Sequence, residues 1–119
     1  MVVSLISPRE AHLEIWVYLE QEGGNLQPVS LEILGKARQL ANEMGWSLCG
    51  LILGNQVAHL ASEAYDHGAD RVWLVEHPLL ESFTIEAYSA AAFQALIQGK
   101  PSVFLTGATS DGRDLAARL

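Results

Sequence analysis

The sequence predicts an α/β fold in which helices cover both faces of an open parallel sheet. Two observations support this prediction. Four apolar segments are nearly continuous in hydrophobic residues, which is typical of strands that are buried on both faces. Three helical patterns separate these segments, so strands and helices alternate along the chain.

The four predicted strands share this continuous apolar character. They are LEIWVYL (13–19), SLCGLIL (47–53), RVWLVE (71–76) and SVFLT (102–106). Parallel neighbours need a crossover connection, and the intervening helices supply it. We expect the spatial order 3-2-1-4 for these strands, with the first strand central and all four parallel.

The first two helices each carry one apolar face and end at a glycine. In the first, apolar residues recur at helical spacing from Ile33 to Met44, and Gly45 follows as the expected left-handed residue after the helix. In the second, the apolar residues of 57–64 share a face, and Gly68 ends the pattern.

The third predicted helix runs from about Thr84 to Gln98, and Gly99 and Pro101 stop it. A fourth helix begins near Asp111 or Gly112, about two turns before the sequence stops. The resulting β-α-β-α-β-α-β-(α) order is that of Rossmann-like, adenine-nucleotide-hydrolase-like folds.

Composition narrows the classes of function. The chain has 119 residues, 50% of them hydrophobic, and its 7 basic and 14 acidic residues give a net charge of −7. Lys and Arg form no cluster, which argues against nucleic acid and anionic membranes as partners. One cysteine excludes an internal disulfide, and neither a signal peptide nor a membrane span is recognisable. We therefore expect a cytoplasmic protein.

The segment GATSDG, from Gly107 to Gly112, has the glycine spacing of a phosphate-binding loop between a strand and a helix. Such a loop continues with Lys and then Ser or Thr, whereas this chain has Arg113 and Asp114. Two alternatives follow: a phosphate site, or a tight turn that caps its own helix. If the loop binds a cofactor, the candidates are Gly107, Thr109, Gly112 and Arg113.

The predicted strand order brings the loops after the first and fourth strands to the point where the order reverses. Ligands of doubly wound sheets gather there, at the carboxyl ends of the strands. The loops place Glu20, Glu22, Asp111 and Asp114 at this crevice. We expect an acidic crevice that repels polyanions.

No other pattern predicts catalysis or metal binding. His59, Glu63 and His67 share one helix face, but the two histidines are about 12 Å apart along it, too far for one metal ion. Cys49 lies in an apolar strand without a basic neighbour, which indicates a buried inert thiol. We predict no catalytic residue and no metal ligand.

Three runs of residues resemble electron-transfer flavoprotein alpha subunits. The first is YLEQEGGNLQPVSLEILGKARQLANEMG (18–45), the second is HGADRVWLVEHPLLESFTIEAYSAAAFQALI (67–97), and the third is GATSDGRDLAARL (107–119). They occur in the family's order and cover nearly everything after the N-terminal prefix. The chain is thus similar to the N-terminal α/β domain of such a subunit, over 13–119 after an extension of 1–12, with its last helix truncated.

This resemblance implies an electron carrier, not an enzyme, that passes electrons from flavin dehydrogenases to a downstream acceptor. It also implies a heterodimer with an electron-transfer flavoprotein beta subunit. FAD would bind mainly outside this segment and AMP in the partner subunit, so none is expected on this chain alone. Its role would be scaffold and subunit interface. Two alternatives are a stand-alone nucleotide-binding domain of the universal-stress-protein type and a small α/β enzyme, although the enzyme lacks a catalytic constellation.

Overall fold

The computed structural model describes residues 2–5 and 12–119. The strands are β1 (Val2–Leu5), β2 (His12–Tyr18), β3 (Gln21–Glu22), β4 (Asn25–Leu26), β5 (Ser47–Gly54), β6 (Arg71–Glu76) and β7 (Pro101–Thr106). The helices are α1 (Pro28–Met44), α2 (Ala61–Asp66), α3 (Ile85–Gly99) and α4 (Ser110–Arg118). Short 3₁₀ helices occupy Ala58–Leu60 and Pro78–Leu80.

The main sheet has the order β1-β7-β2-β5-β6. The four predicted strands correspond to β2, β5, β6 and β7, and their neighbours pair in parallel. The predicted order 3-2-1-4 and the open α/β fold are therefore confirmed. Strand β1 extends the sheet antiparallel to β7 and was not predicted. Its four residues are too few to show a periodicity, and it pairs along one edge only.

The two faces of the sheet carry different helices because successive side chains of a strand point in opposite directions. Ile15, Val17 and Leu19 pack in the cluster that contains the buried residues of α1 and α2. Trp16 and Tyr18 pack in the other cluster, with the buried residues of α3 and α4. The chain thus moves from one face to the other after β6, so the strand order reverses between β2 and β7.

A nearly buried carboxylate at the amino ends of the strands is satisfied by its neighbours. Glu14 is only 4% exposed. Its carboxylate accepts two hydrogen bonds from Arg71, at 2.7 and 2.6 Å, and one from the Trp16 indole at 2.7 Å. The end of α3 approaches this group at Gly99, where an added Cβ would lie 2.1 Å from the Trp16 ring. A side chain at position 99 would therefore displace the tryptophan.

The helix ends agree with the sequence pattern, apart from small shifts. Gly45 follows α1 with φ 70°, a left-handed conformation that costs glycine little. Thr84 caps α3, as its hydroxyl accepts from the Ala87 N–H. Helix α4 begins at Ser110, one or two residues before the predicted start, because Thr109 is its N-cap.

Candidate functional site

A cavity of about 610 Å³ opens at the carboxyl ends of the parallel strands, which we call the carboxyl edge. Its walls come from the loops after β2, β6 and β7, together with α3. The lining residues are Tyr18, Glu20, Gln21, Glu22, Gly23, Gln27, Glu81, Ser82, Phe83, Tyr88, Thr109, Ser110 and Asp111. The cavity includes the point where the strand order reverses, which is the usual place for a ligand in this architecture.

Thr109 links the two central strands across this point. Its hydroxyl accepts a hydrogen bond from the Gly112 N–H at 3.0 Å, which caps α4. The same hydroxyl donates to the Glu20 carboxylate at 2.5 Å. Glu20 is 8% exposed, and its backbone N–H donates to the Ser30 hydroxyl. A carboxylate of the protein itself therefore lies beside the N-terminus of α4, where a phosphate-binding loop would hold its anion.

Gly112 is required by this close approach. A Cβ at position 112 would lie 2.4 Å from the Gly107 carbonyl oxygen and 3.2 Å from the Glu20 carboxylate. Gly107 itself is less restricted, since a Cβ there would meet the Ile33 side chain at 3.5 Å, an ordinary van der Waals distance. Close packing of the helix start against the loop thus explains why the second position of the phosphate-loop spacing is a glycine.

The other loop candidates take part in the turn or lie outside the cavity. Thr109 is occupied by the cap and by Glu20. The Arg113 N–H donates to the Thr109 carbonyl, and the exposed Arg113 residue does not line the cavity. Of the two alternatives, this geometry is that of the self-capped turn. That Gly107, Thr109, Gly112 and Arg113 bind no cofactor remains a prediction.

The cavity is acidic as expected, but its acidic residues differ in part from the predicted ones. Glu20, Glu22 and Asp111 line the cavity as expected, whereas Asp114 does not. Asp114 follows one turn into α4 and is exposed. Glu81 lines the cavity instead, from the segment after β6. Glu81 was not predicted, because its loop follows β6 and lies outside the strand-order reversal. The available signal was a carboxylate in a loop at the same edge of the sheet.

Two tyrosines stand on the cavity wall. Burial raises the pKa of Tyr18 well above its ordinary value, and the nearby Tyr88, Glu20 and Asp111 add to the shift. Burial also raises the pKa of Tyr88, against the effect of its hydrogen bond with Gln21. The Tyr88 hydroxyl donates to the Leu80 carbonyl at 2.7 Å. Both hydroxyls are therefore protonated at neutral pH.

Two histidines, His59 in the 3₁₀ helix before α2 and His67 directly after α2, contact backbone oxygens. His59 Nε2 is 3.0 Å from the Gly24 carbonyl and fixes the β3–β4 turn, while His67 Nδ1 is 2.9 Å from the Glu63 carbonyl. Within residues 2–5 and 12–119, no group of three or more His, Cys, Asp or Glu side chains is placed to hold a metal ion.

The only cysteine is packed inside the sheet. Cys49 is fully buried, and burial is the main cause that raises the pKa of its thiol to about 12. The buried carboxylate of Glu14 contributes in the same direction. Such a thiol is a poor nucleophile, because the thiolate is the reactive form.

Among the residues that the structure describes, no helix is long and apolar enough to cross a membrane. The fold and the site define an open, Rossmann-like α/β domain whose glycine turn is closed by its own threonine and glutamate. The chain belongs to the electron transfer flavoprotein domain family, whose family pattern matches residues 15–119. The family predicted from the residue runs is confirmed.

Relatives with known names are similar over most of this chain. The electron transfer flavoprotein subunit alpha of Thermoanaerobacterium thermosaccharolyticum is 42% identical over 106 residues, which is 89% of this chain and 32% of the relative. The acryloyl-CoA reductase electron transfer subunit beta of Anaerotignum propionicum is 40% identical, over 88% of this chain and 29% of the relative. Protein FixB of Azorhizobium caulinodans is 40% identical, over 90% of this chain and 30% of the relative. The chain spans about a third of the length of these relatives.

Proposed function

We propose that this chain is the scaffold and subunit-interface domain of an electron-transfer flavoprotein alpha subunit. In the complete assembly, electrons pass from flavin dehydrogenases to a downstream acceptor, and a beta subunit forms the heterodimer. FAD is held mainly outside this segment and AMP in the partner subunit, in a cytoplasmic complex. The family membership and the electron-transfer names of the relatives support this proposal.

The hydrogen bond from Thr109 to Glu20 is the observation that carries the scaffold role. In a nucleotide-binding turn, helix N–H groups and a cation hold the phosphates. Here the Thr109 hydroxyl takes the Gly112 N–H, and a nearly buried carboxylate stands beside it. A phosphate at this place would meet the negative charge of Glu20. The turn therefore joins strands and helix and is unsuited to a nucleotide.

The stand-alone nucleotide-binding domain needs the opposite electrostatics. ATP would bring several negative charges into a cavity that already has four carboxylates on its wall. These belong to Glu20, Glu22, Glu81 and Asp111. Among the residues that the structure describes, no Lys, Arg or His lines the cavity to offset them. This arrangement, together with the family membership, favours the electron-transfer assembly over the alternative.

Association with a beta subunit tests the proposal. The purified chain is mixed with the beta-type subunit from the same organism, and the mass of the complex is measured by light scattering during gel filtration. We expect a one-to-one complex, with the beta subunit alone as the control. We expect no flavin absorbance from the chain by itself. A chain that ignores the beta subunit and binds ATP stoichiometrically would contradict the proposal.

A further inference from the structure

We propose that the cavity at the carboxyl edge binds a guanidinium group. Its volume of about 610 Å³ lies in the usual range for ligand sites. Four carboxylates on its wall come from three separate loops, namely Glu20 and Glu22 after β2, Glu81 after β6, and Asp111 at the start of α4. Such a ligand is distinct from the flavin and the nucleotide of the proposed assembly.

The carboxylates of the cavity have no cationic partner among the described residues. Glu20 accepts from the neutral Thr109 hydroxyl, and Glu81 accepts from the neutral Asn55 amide at 2.8 Å. The described ion pairs of the chain involve other acids: Glu32, Asp70 and Glu14. A cation that enters the cavity would therefore gain the attraction of several charges that the protein itself leaves uncompensated.

The Tyr18 hydroxyl is a second, independent observation. Tyr18 is 3% exposed and lines the cavity, yet no described residue forms a hydrogen bond with its hydroxyl. Since no buried side-chain polar atom of the described residues lacks a partner, the Tyr18 oxygen must be reached from the cavity, where a ligand or water supplies its hydrogen bond. In contrast, the neighbouring Tyr88 hydroxyl is already bonded to Leu80. Tyr18 therefore offers the cavity a free oxygen that can accept from a guanidinium N–H.

Two aromatic residues on the cavity wall favour a planar cation. Phe83 and Tyr88 both line the cavity, and their ring centroids are 4.8 Å apart at an angle of 51°. Aromatic faces stabilise a guanidinium, which is planar and more weakly hydrated than an ammonium. Its five N–H donors can reach carboxylates on separate loops, whereas an ammonium is a compact charge. A metal ion does not fit, because the described acids do not converge into a coordinating group.

Titration with N-acetyl-L-argininamide tests this site. The probe carries one guanidinium and no carboxylate, and its neutral analogue N-acetyl-L-citrullinamide is the matched control. We expect saturable binding of the arginine compound in calorimetry and in amide chemical shifts, with the largest shifts in residues 20–23 and 81–83. We expect no binding of the citrulline compound. Equal responses to the two compounds, or no response to either, would overturn the proposal.

Two variants separate the site from the overall negative charge of the protein. Glu22→Gln and Glu43→Gln each remove one carboxylate, but Glu43 is exposed near the far end of α1, about 20 Å along the helix from its start. We expect the dissociation constant of the arginine compound to be severalfold larger for Glu22→Gln and to change less than twofold for Glu43→Gln. Equal weakening would show non-specific attraction and overturn the site.

Tyr18→Phe tests the hydroxyl without changing the charge. We expect it to weaken binding of the arginine compound about tenfold, because a hydrogen bond to a charged group is lost. Thermal unfolding of the same variant serves as the folding control. A folded variant with unchanged affinity would refute the part assigned to Tyr18.

The guanidinium has two sources, a free small molecule or an arginine side chain of the beta subunit. The same titration on the heterodimer distinguishes them, and this arm alone rests on the proposed function. If a beta-subunit arginine fills the cavity, the probe no longer binds the complex. If the natural ligand is a small molecule, binding persists. Both outcomes require that the free chain binds the probe. If the heterodimer does not form, the titration of the free chain still decides whether the guanidinium site exists.

Discussion

Thr109 and Glu20 are joined by a hydrogen bond of 2.5 Å across the two central strands of the sheet. Glu20 follows β2 and Thr109 follows β7, so this contact closes the point where the strand order reverses. Thr109 also caps α4 through the Gly112 N–H. One hydroxyl therefore fixes the helix start, orients a nearly buried carboxylate and occupies the place at which related turns bind phosphate.

The first prediction compares two threonine caps. Thr109→Ala removes the cap of α4 and also leaves Glu20 without this donor, whereas Thr84→Ala removes only the exposed cap of α3. A lost cap costs about 1 kcal/mol, and a lost hydrogen bond to a charged group adds about 1.5–3 kcal/mol. We expect urea denaturation to show that the free energy of unfolding falls by about 2.5–4 kcal/mol for Thr109→Ala and by about 1 kcal/mol for Thr84→Ala. Equal losses would mean that the bond to Glu20 contributes nothing to stability.

The second prediction compares two helical glycines. At Gly112 an added Cβ would lie 2.4 Å from the Gly107 carbonyl oxygen, which is backbone and cannot rotate away. At Gly35, inside α1, an added Cβ meets nothing within 4 Å. We expect Gly112→Ala to lower the free energy of unfolding by about 3 kcal/mol and Gly35→Ala to raise it by about 0.5–1 kcal/mol. Tolerance of alanine at position 112 would contradict the described approach of the helix to the loop.

The third prediction concerns pH and Asp70. Burial raises the pKa of this carboxyl, but the Leu48 N–H and the Arg38 guanidinium, at 2.8 and 3.0 Å, outweigh it and lower the pKa below its ordinary 3.8. A lowered pKa contributes stability that is complete above the unfolded value and is lost as the pH falls through the folded value. Asp70→Asn should therefore be less stable than the parent at pH 7. The difference in urea midpoint should shrink below about pH 4. A difference that is constant down to pH 3 would argue against this linkage.

The fourth prediction concerns the reactivity of Cys49. With its pKa raised to about 12, the thiol has almost no thiolate at pH 8, and the residue is fully buried. We expect the folded protein to react with Ellman's reagent far more slowly than the urea-unfolded protein, in which the thiol regains an ordinary pKa. The absorbance of the released thiolate measures both rates. A folded-state rate equal to the unfolded one would refute the buried placement.

The strands and their order were predictable because parallel strands that are buried on both faces consist of nearly continuous apolar residues. The segments 47–53 and 71–76 match β5 and β6 within one residue. The helix stops were equally readable, since Gly45 adopts the left-handed conformation that the pattern implied. The unpredicted β1 and the short β3–β4 ladder gave no such record. Strand β1 has four residues, and β3 and β4 have two each. Tertiary pairing determines such short strands more than local propensity does.

The candidate site was only partly predictable from the sequence. The sequence placed Glu20 and Asp111 at one crevice, because strand order alone brings their loops together. It did not show that Glu20 bonds to Thr109, since this contact joins residues 89 positions apart and depends on side-chain geometry. Tyr18 looked like an ordinary core residue within an apolar strand. Its place on the cavity wall depends on loops that are distant in sequence, so the strand pattern alone does not indicate it.

Nucleotide titration of the purified chain tests most directly the claim that Glu20 and Thr109 close the turn against phosphate. Calorimetry at low ionic strength measures binding of AMP, ATP and FAD, because weak screening makes attraction to any cationic site strongest. We expect no saturable binding of the three ligands by the chain alone. Stoichiometric binding with a micromolar or tighter dissociation constant, lost in Arg113→Ala, would contradict the closed turn and favour the stand-alone nucleotide-binding domain.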